Sequence, residues 1–234
     1  MRVRHVAVVV ALAFSLVVGS AGVLPAAVAG ATTPVGSVPA AGSFSDVPAG
    51  HAFETEIEWL VGKGITTGFG DGTFRPLAPV TRQGAAAFLW RLTHMNAASP
   101  SCETKPFSDV PVGHPFCGQI AWMVESGIAS GYDDGTFGPD LPLSRQAVAM
   151  FLYRLIAPSS LPVICTRAPF TDVPADHGFC DGISWMKTNG IANGFDGKFK
   201  PTTVVTRQGI AAFLYRLWTT FGPTPQLDLD SDLP

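Results

Sequence analysis

Thr81-Arg82-Gln83-Gly84-Ala85-Ala86-Ala87-Phe88-Leu89-Trp90-Arg91-Leu92 recurs twice more in this chain. The second copy is Leu143-Ser144-Arg145-Gln146-Ala147-Val148-Ala149-Met150-Phe151-Leu152-Tyr153-Arg154-Leu155, and the third is Thr206-Arg207-Gln208-Gly209-Ile210-Ala211-Ala212-Phe213-Leu214-Tyr215-Arg216-Leu217. Each copy opens on a hydroxyl residue that can accept a bond from an orphan N–H at a helix start. An arginine follows in the first turn, and then a run that is apolar almost all round. Such a run predicts a buried helix. Three of them in one chain predict a pseudo-threefold core.

Working outward, each copy ends a longer unit. Phe44-Ser45-Asp46-Val47-Pro48 matches Phe107-Ser108-Asp109-Val110-Pro111 and Phe170-Thr171-Asp172-Val173-Pro174, with successive starts 63 residues apart. A fixed period of this kind means stacked units sharing a core. The repeats span 44–92, 107–155 and 170–217, separated by two linkers of 14 residues. The third is one residue shorter, at Phe195-Asp196-Gly197-Lys198-Phe199. After each Asp-Val-Pro turn, apolar residues at i, i+4, i+7 (Phe53, Ile57, Leu60 and their counterparts) predict an amphipathic first helix. Gly64, Gly127 and Gly190 stand where a left-handed C-terminal cap belongs. Asp-Gly pairs between aromatic residues then mark a tight turn before the second helix.

Cys102 and Cys165 each lie five residues before a repeat start, and Cys117 and Cys180 occupy matching places in the first helices. The spacing makes Cys102–Cys117 and Cys165–Cys180 the natural disulfides. A zinc site is the rival, but no closely spaced Cys pair exists for it.

Arg2, Arg4 and His5 followed by the apolar run Val6 to Val18 and the small residues Ala27-Val28-Ala29 read as a signal peptide over 1–29. A short flexible linker, 30–43, is expected next, and an acidic, Pro-rich tail over 218–234. The mature chain is expected to have no membrane span, and its attachment to a surface to be non-covalent. Removing residues 1–29 moves the formal net charge from −3 to −5. A mildly acidic exported chain argues against nucleic-acid binding.

The series Phe-Ser-Asp-Val-Pro, Gly-Ile, Asp-Gly-Thr-Phe and Thr-Arg resembles the S-layer homology (SLH) domain, in three copies covering nearly all of the mature chain. The resemblance implies a mainly α fold: three helix-loop-helix repeats in a pseudo-trimeric monomer around a central three-helix bundle. It also implies grooves between neighbouring repeats that bind cell-wall polysaccharide, whose best-known forms carry a ketal-linked pyruvate. The chain departs from the family's Thr-Arg-Ala-Glu at Thr81-Arg82-Gln83-Gly84, Ser144-Arg145-Gln146-Ala147 and Thr206-Arg207-Gln208-Gly209. The missing Glu is the one that would complete a capping box.

Several recurring side chains are candidates for the grooves. Arg82, Arg145 and Arg207 oppose the helix dipole, and a guanidinium beside a helix N-terminus suits a carboxylate. Their alternative role is an ion pair with Asp46, Asp109 or Asp172. Those aspartates in turn either bond a local turn or line a groove. Gln83, Gln146 and Gln208 stand beside the arginines. Trp59, Trp122 and Trp185, about 200° round the first helix from the core Ile, either pack on a neighbouring repeat or offer a sugar-stacking face. His51, His114 and His177 read as helix caps. No nucleophile recurs with them; the Asp-Gly loops resemble fragments of calcium loops but lack the alternating acidic ligands and read as turns, and no cofactor or metal is expected. The expected function is a non-catalytic wall-binding module, secreted to the cell wall or surface. A coat subunit or protein-binding adaptor is the alternative.

Overall fold

The first helices stop after nine residues because of one glycine each. They are α1 (Glu54–Gly62), α3 (Cys117–Glu125) and α5 (Cys180–Thr188). Gly64, Gly127 and Gly190 take positive φ of 68–69°. This turns Ile65 N–H back onto the Leu60 carbonyl at 2.9 Å and Gly64 N–H onto Val61 at 2.9 Å, a Schellman closure repeated in the other two units. Phe53, Phe116 and Phe179 stand at the cap positions rather than inside these helices. There their N–H groups donate to Nδ1 of His51, His114 and His177 at 3.2 Å. The recurring histidines are therefore caps in their ring-acceptor form.

The second helices are α2 (Arg82–Thr93), α4 (Arg145–Ile156) and α6 (Arg207–Phe221). In this computed structural model the described residues are 44–95, 97–156 and 164–223, and these six helices are the regular elements among them. The expected signal segment 1–29, the linker 30–43 and residues 224–234 of the expected tail lie outside them. The helix α6 runs four residues past Leu217, where the tail was expected to begin, and brings Trp218 within 5.8 Å of Trp59.

The three second helices start at a closed ring of backbone hydrogen bonds. Val80 N–H donates to the Val205 carbonyl at 2.9 Å, Val205 to Leu143 at 2.8 Å, and Leu143 to Val80 at 2.8 Å. Beside the ring, Arg82 and Gln83 give their N–H groups to the Leu141 and Pro139 carbonyls, both at 3.0 Å. Arg145 and Gln146 donate likewise to Thr203 and Pro201, and Arg207 and Gln208 to Ala78 and Pro76, all at 2.9 Å. The next N–H in each helix goes to the cap hydroxyl, Thr81, Ser144 or Thr206. Each helix start is thus satisfied by the following repeat, and the third repeat is satisfied by the first.

The closest helix pairs cross the same boundaries. Helix α2 packs on α3, α4 on α5, and α6 returns to α1. The tryptophans fill these seams. Trp122 meets Trp90 and His94 edge-on, Trp185 meets Tyr153 at 5.9 Å, and Trp59 meets Tyr215 at 5.6 Å. A single apolar cluster spans all three repeats, and Phe74, Phe137 and Phe199 are wholly buried in it. Disulfides join Cys102 to Cys117 and Cys165 to Cys180, fastening each preceding linker to the start of α3 or α5.

Two outcomes are expected. A Cβ at Gly131 would lie 2.2 Å from the Phe107 ring and 2.8 Å from the Thr136 carbonyl, so Gly131→Ala should cost about 1–3 kcal/mol in denaturant melts. His94 stacks on Trp90 at 3.6 Å, and burial holds its pKa below the usual histidine value. The unfolded chain then takes up the proton first, so His94's contribution is complete above about pH 6.5 and falls as the pH drops. Melting temperature should therefore decline from pH 7 to pH 5, and His94→Phe should reduce that slope.

Candidate functional site

The recurring arginines and aspartates meet through one peptide group rather than face to face. Asp46 accepts the N–H groups of Phe74 and Arg75 at 2.8 and 2.7 Å. The carbonyl of Phe74 accepts Nε of Arg207, from the preceding repeat of the ring, at 2.7 Å. Asp109 likewise holds Phe137 and Gly138 while Arg82 Nε reaches the Phe137 carbonyl at 2.8 Å. Asp172 holds Phe199 and Lys200 while Arg145 Nε reaches the Phe199 carbonyl at 2.7 Å. The aspartates therefore reach 27 to 29 residues along the chain instead of bonding a local turn.

Electrostatics follow from this arrangement. Burial pushes the Asp109 and Asp172 carboxyls up, but the backbone N–H groups outweigh it and leave both below the usual carboxylate value. Burial lowers all three arginines, Arg207 to about 10, so each stays charged at neutral pH. Each guanidinium also lies over the phenylalanine whose carbonyl it holds, at 4.4–4.6 Å. Arg82 is only 9% exposed and spends Nη2 on the Ser130 carbonyl at 3.0 Å. Arg207 directs Nη2 at Thr66 Oγ1, 3.5 Å away. The Nη groups of Arg145 have no hydrogen-bond partner among the described residues.

These contacts change what a ligand could meet. The helix N–H groups expected to receive a carboxylate are already bonded to neighbouring carbonyls, so the open donors are side chains. Gln83 Nε2 donates to Asp140 of the next repeat at 2.6 Å, while Gln146 and Gln208 occupy the same partly exposed place on α4 and α6. Trp122 and Trp185 are 7% and 6% exposed, which leaves no free ring face for a sugar; Trp59 is half-buried against Tyr215 and Trp218.

A groove of about 450 Å³ is lined almost wholly by the third repeat, and Arg145 of the second repeat closes one side of it. Its walls carry Arg145, Phe195, Lys198, Lys200 and Arg216, with Phe53 of the first repeat at one side. Sequence reasoning singled out Arg145 alone from that set. Arg216 also braces its own repeat, donating Nη1 to the Ile191 carbonyl at 3.3 Å, as Arg91 and Arg154 do to Ile65 and Ile128.

The family model of the S-layer homology domain matches residues 43–86, 106–149 and 169–208, together more than half of the chain. The chain belongs to the S-layer homology family. Its SLH repeats are similar to S-layer protein EA1 of Bacillus anthracis, at 31% identity over 199 residues, 83% of this chain and 22% of that protein. Cell surface glycoprotein 1 of Acetivibrio thermocellus is 28% identical over 157 residues, 64% of this chain and 7% of that protein. Outer membrane protein SlpA of Thermus thermophilus is 53% identical over 49 residues, 21% of this chain and 5% of that protein. The SLH repeats thus span less than a quarter of the length of these relatives. The family and its surface-layer relatives make this a cell-surface anchoring module, secreted to the cell surface. Among the described residues no helix is long and apolar enough to cross a membrane.

Replacing Arg145 by Ala should orphan the buried Phe199 carbonyl and cost about 1–3 kcal/mol in equilibrium unfolding. Arg145→Lys should recover less than half of that, because lysine lacks the planar group that both bonds the carbonyl and covers the ring.

Proposed function

We propose that this SLH module is non-catalytic and recognises anionic cell-wall polysaccharide, pyruvylated forms included, in the grooves between its repeats. The observation that carries the reading is the groove beside Arg145, where cationic side chains and an aromatic ring share one concave wall. A sugar ring offers C–H faces to an aromatic surface, and its acidic substituent suits guanidinium and ammonium donors. Closure of the ring supports binding by preorganisation, since the groove walls are held by backbone bonds before any ligand arrives. The recurring polar groups favour binding over chemistry: the histidines are spent on caps, and the aspartates on backbone N–H groups.

In this reading the repeated arginines and aspartates shape the groove walls, Arg145 adds its Nη groups as donors, and the glutamines border the grooves. The tryptophans contribute by holding neighbouring repeats together. The experiment is sedimentation of the purified protein with native wall and with wall stripped of its polysaccharide. Binding should require the polysaccharide and weaken as salt rises from 0.05 to 0.5 M (approximate settings, about a threefold shorter Debye length). Equal binding to stripped wall would instead favour a coat subunit or protein-binding adaptor.

A further inference from the structure

The three inter-repeat seams are built alike but the loops beside them are not charged alike. The shortened loop of the third repeat is the cause. In the first two repeats Asp71 and Asp134 bond the N–H and hydroxyl of Thr73 and Thr136, closing the loop inward. The third repeat lacks one residue there and has Lys198 in place of the threonine. Its loop is a two-residue hairpin: Phe195 and Lys198 exchange N–H and carbonyl bonds at 2.9 and 3.0 Å, with Asp196 and Gly197 at φ of 50° and 69°. Two successive positive φ values are the mark of a type I′ turn. The hairpin leaves Phe195 75% exposed, against 37% for Phe69 and 48% for Tyr132.

The next position adds a second difference. Lys200 holds φ at 58°, a conformation where the second repeat has the unstrained Gly138. Arg75 has the same backbone at φ 59°, but its charge is spent on Asp71 at 2.8 Å and its guanidinium lies on Phe69 at 3.9 Å. Lys198 and Lys200 make no ion pair within 4 Å among the described residues; the charge of Lys198 favours the Asp172 carboxylate, and Lys200 Nζ lies 5.5 Å over the Phe195 ring, which a bound sugar would share. Arg145 and Arg216 both line the groove; burial lowers the Arg145 pKa most, Asp172 raises it, and the charge of Arg216 lowers it by the least.

Building on the function proposed above, we infer that the groove lined by the third repeat and Arg145 is the anion-reading subsite. Lys198 and Lys200 clamp a carboxylate or phosphate substituent, and Phe195 supports the sugar that carries it. The other two seams contribute little to recognition of the anion.

The test uses a change that the chain itself tolerates elsewhere. Lys198→Thr with Lys200→Gly gives the third repeat the residues of the second and removes one strained backbone position. Affinity for purified native wall polysaccharide is read by calorimetry alongside a melting curve. The expected result is a loss of about tenfold or more with melting unchanged or raised. Phe195→Ala should also weaken binding, whereas Arg75→Gly in the first repeat should leave affinity within about twofold. Polysaccharide with reduced carboxyls and polysaccharide freed of phosphodiesters by hydrofluoric acid identify the anion: one of the two treatments should abolish the difference between wild type and the double variant. If wild type binds and the double variant binds equally well, the subsite assignment is overturned while the proposed function stands; if neither treatment alters binding, both the subsite and the anionic character of the ligand are overturned, leaving wall binding alone. Wild type that fails to bind overturns both.

Discussion

Three peptide groups, at Phe74, Phe137 and Phe199, are the points on which this molecule turns. Each offers the N–H of the following residue, Arg75, Gly138 or Lys200, to an aspartate of its own repeat and its carbonyl to an arginine of the preceding one. Each adjoins a phenylalanine side chain with no exposure at all. Backbone groups at the edge of a core must be paired, and an orphan there costs as much as a lost hydrogen bond. No repeat can pair its own carbonyl at this place. The apolar core and the polar seam therefore form together or not at all, which is the behaviour expected of stacked units sharing interfaces.

The repeats, the starts of the second helices, the glycine stops and the cysteine pairing were legible in the sequence, because each is a local signal that recurs at one period; the first helices begin one residue later than their apolar spacing implied. The partners were not. Arg82, Arg145 and Arg207 sit in near-identical surroundings, so sequence does not say which repeat each one serves. A direct Asp–Arg ion pair was a natural expectation from charge alone. What intervenes is a peptide unit, and backbone carries no label in a sequence. The helix N-termini likewise looked open to an anion, since Thr81-Arg82-Gln83 gives no sign that Leu141 and Pro139 approach from the next repeat.

Legibility failed differently at the groove. The shortened stretch Phe195 to Phe199 was legible as a departure from the repeat, but nothing there marked Phe195, Lys198 or Lys200 as groove residues. The departure is a missing residue and two substitutions in one copy. A scaffold of equivalent positions permits such divergence, since the ring fixes the backbone whichever side chains stand on the loop tips. Selectivity can then reside in the departures from the pattern, while the pattern itself maintains the fold.

The return of α6 to α1, together with the bond from Val80 to Val205, also means that the seam between the last repeat and the first is of the same kind as the two seams bridged by linkers. Apart from the two linker disulfides, the backbone bonding at the three seams is equivalent. A chain opened at either linker and rejoined across the third seam would trace the same circle, so which repeat is translated first is a matter of gene order and not of structure.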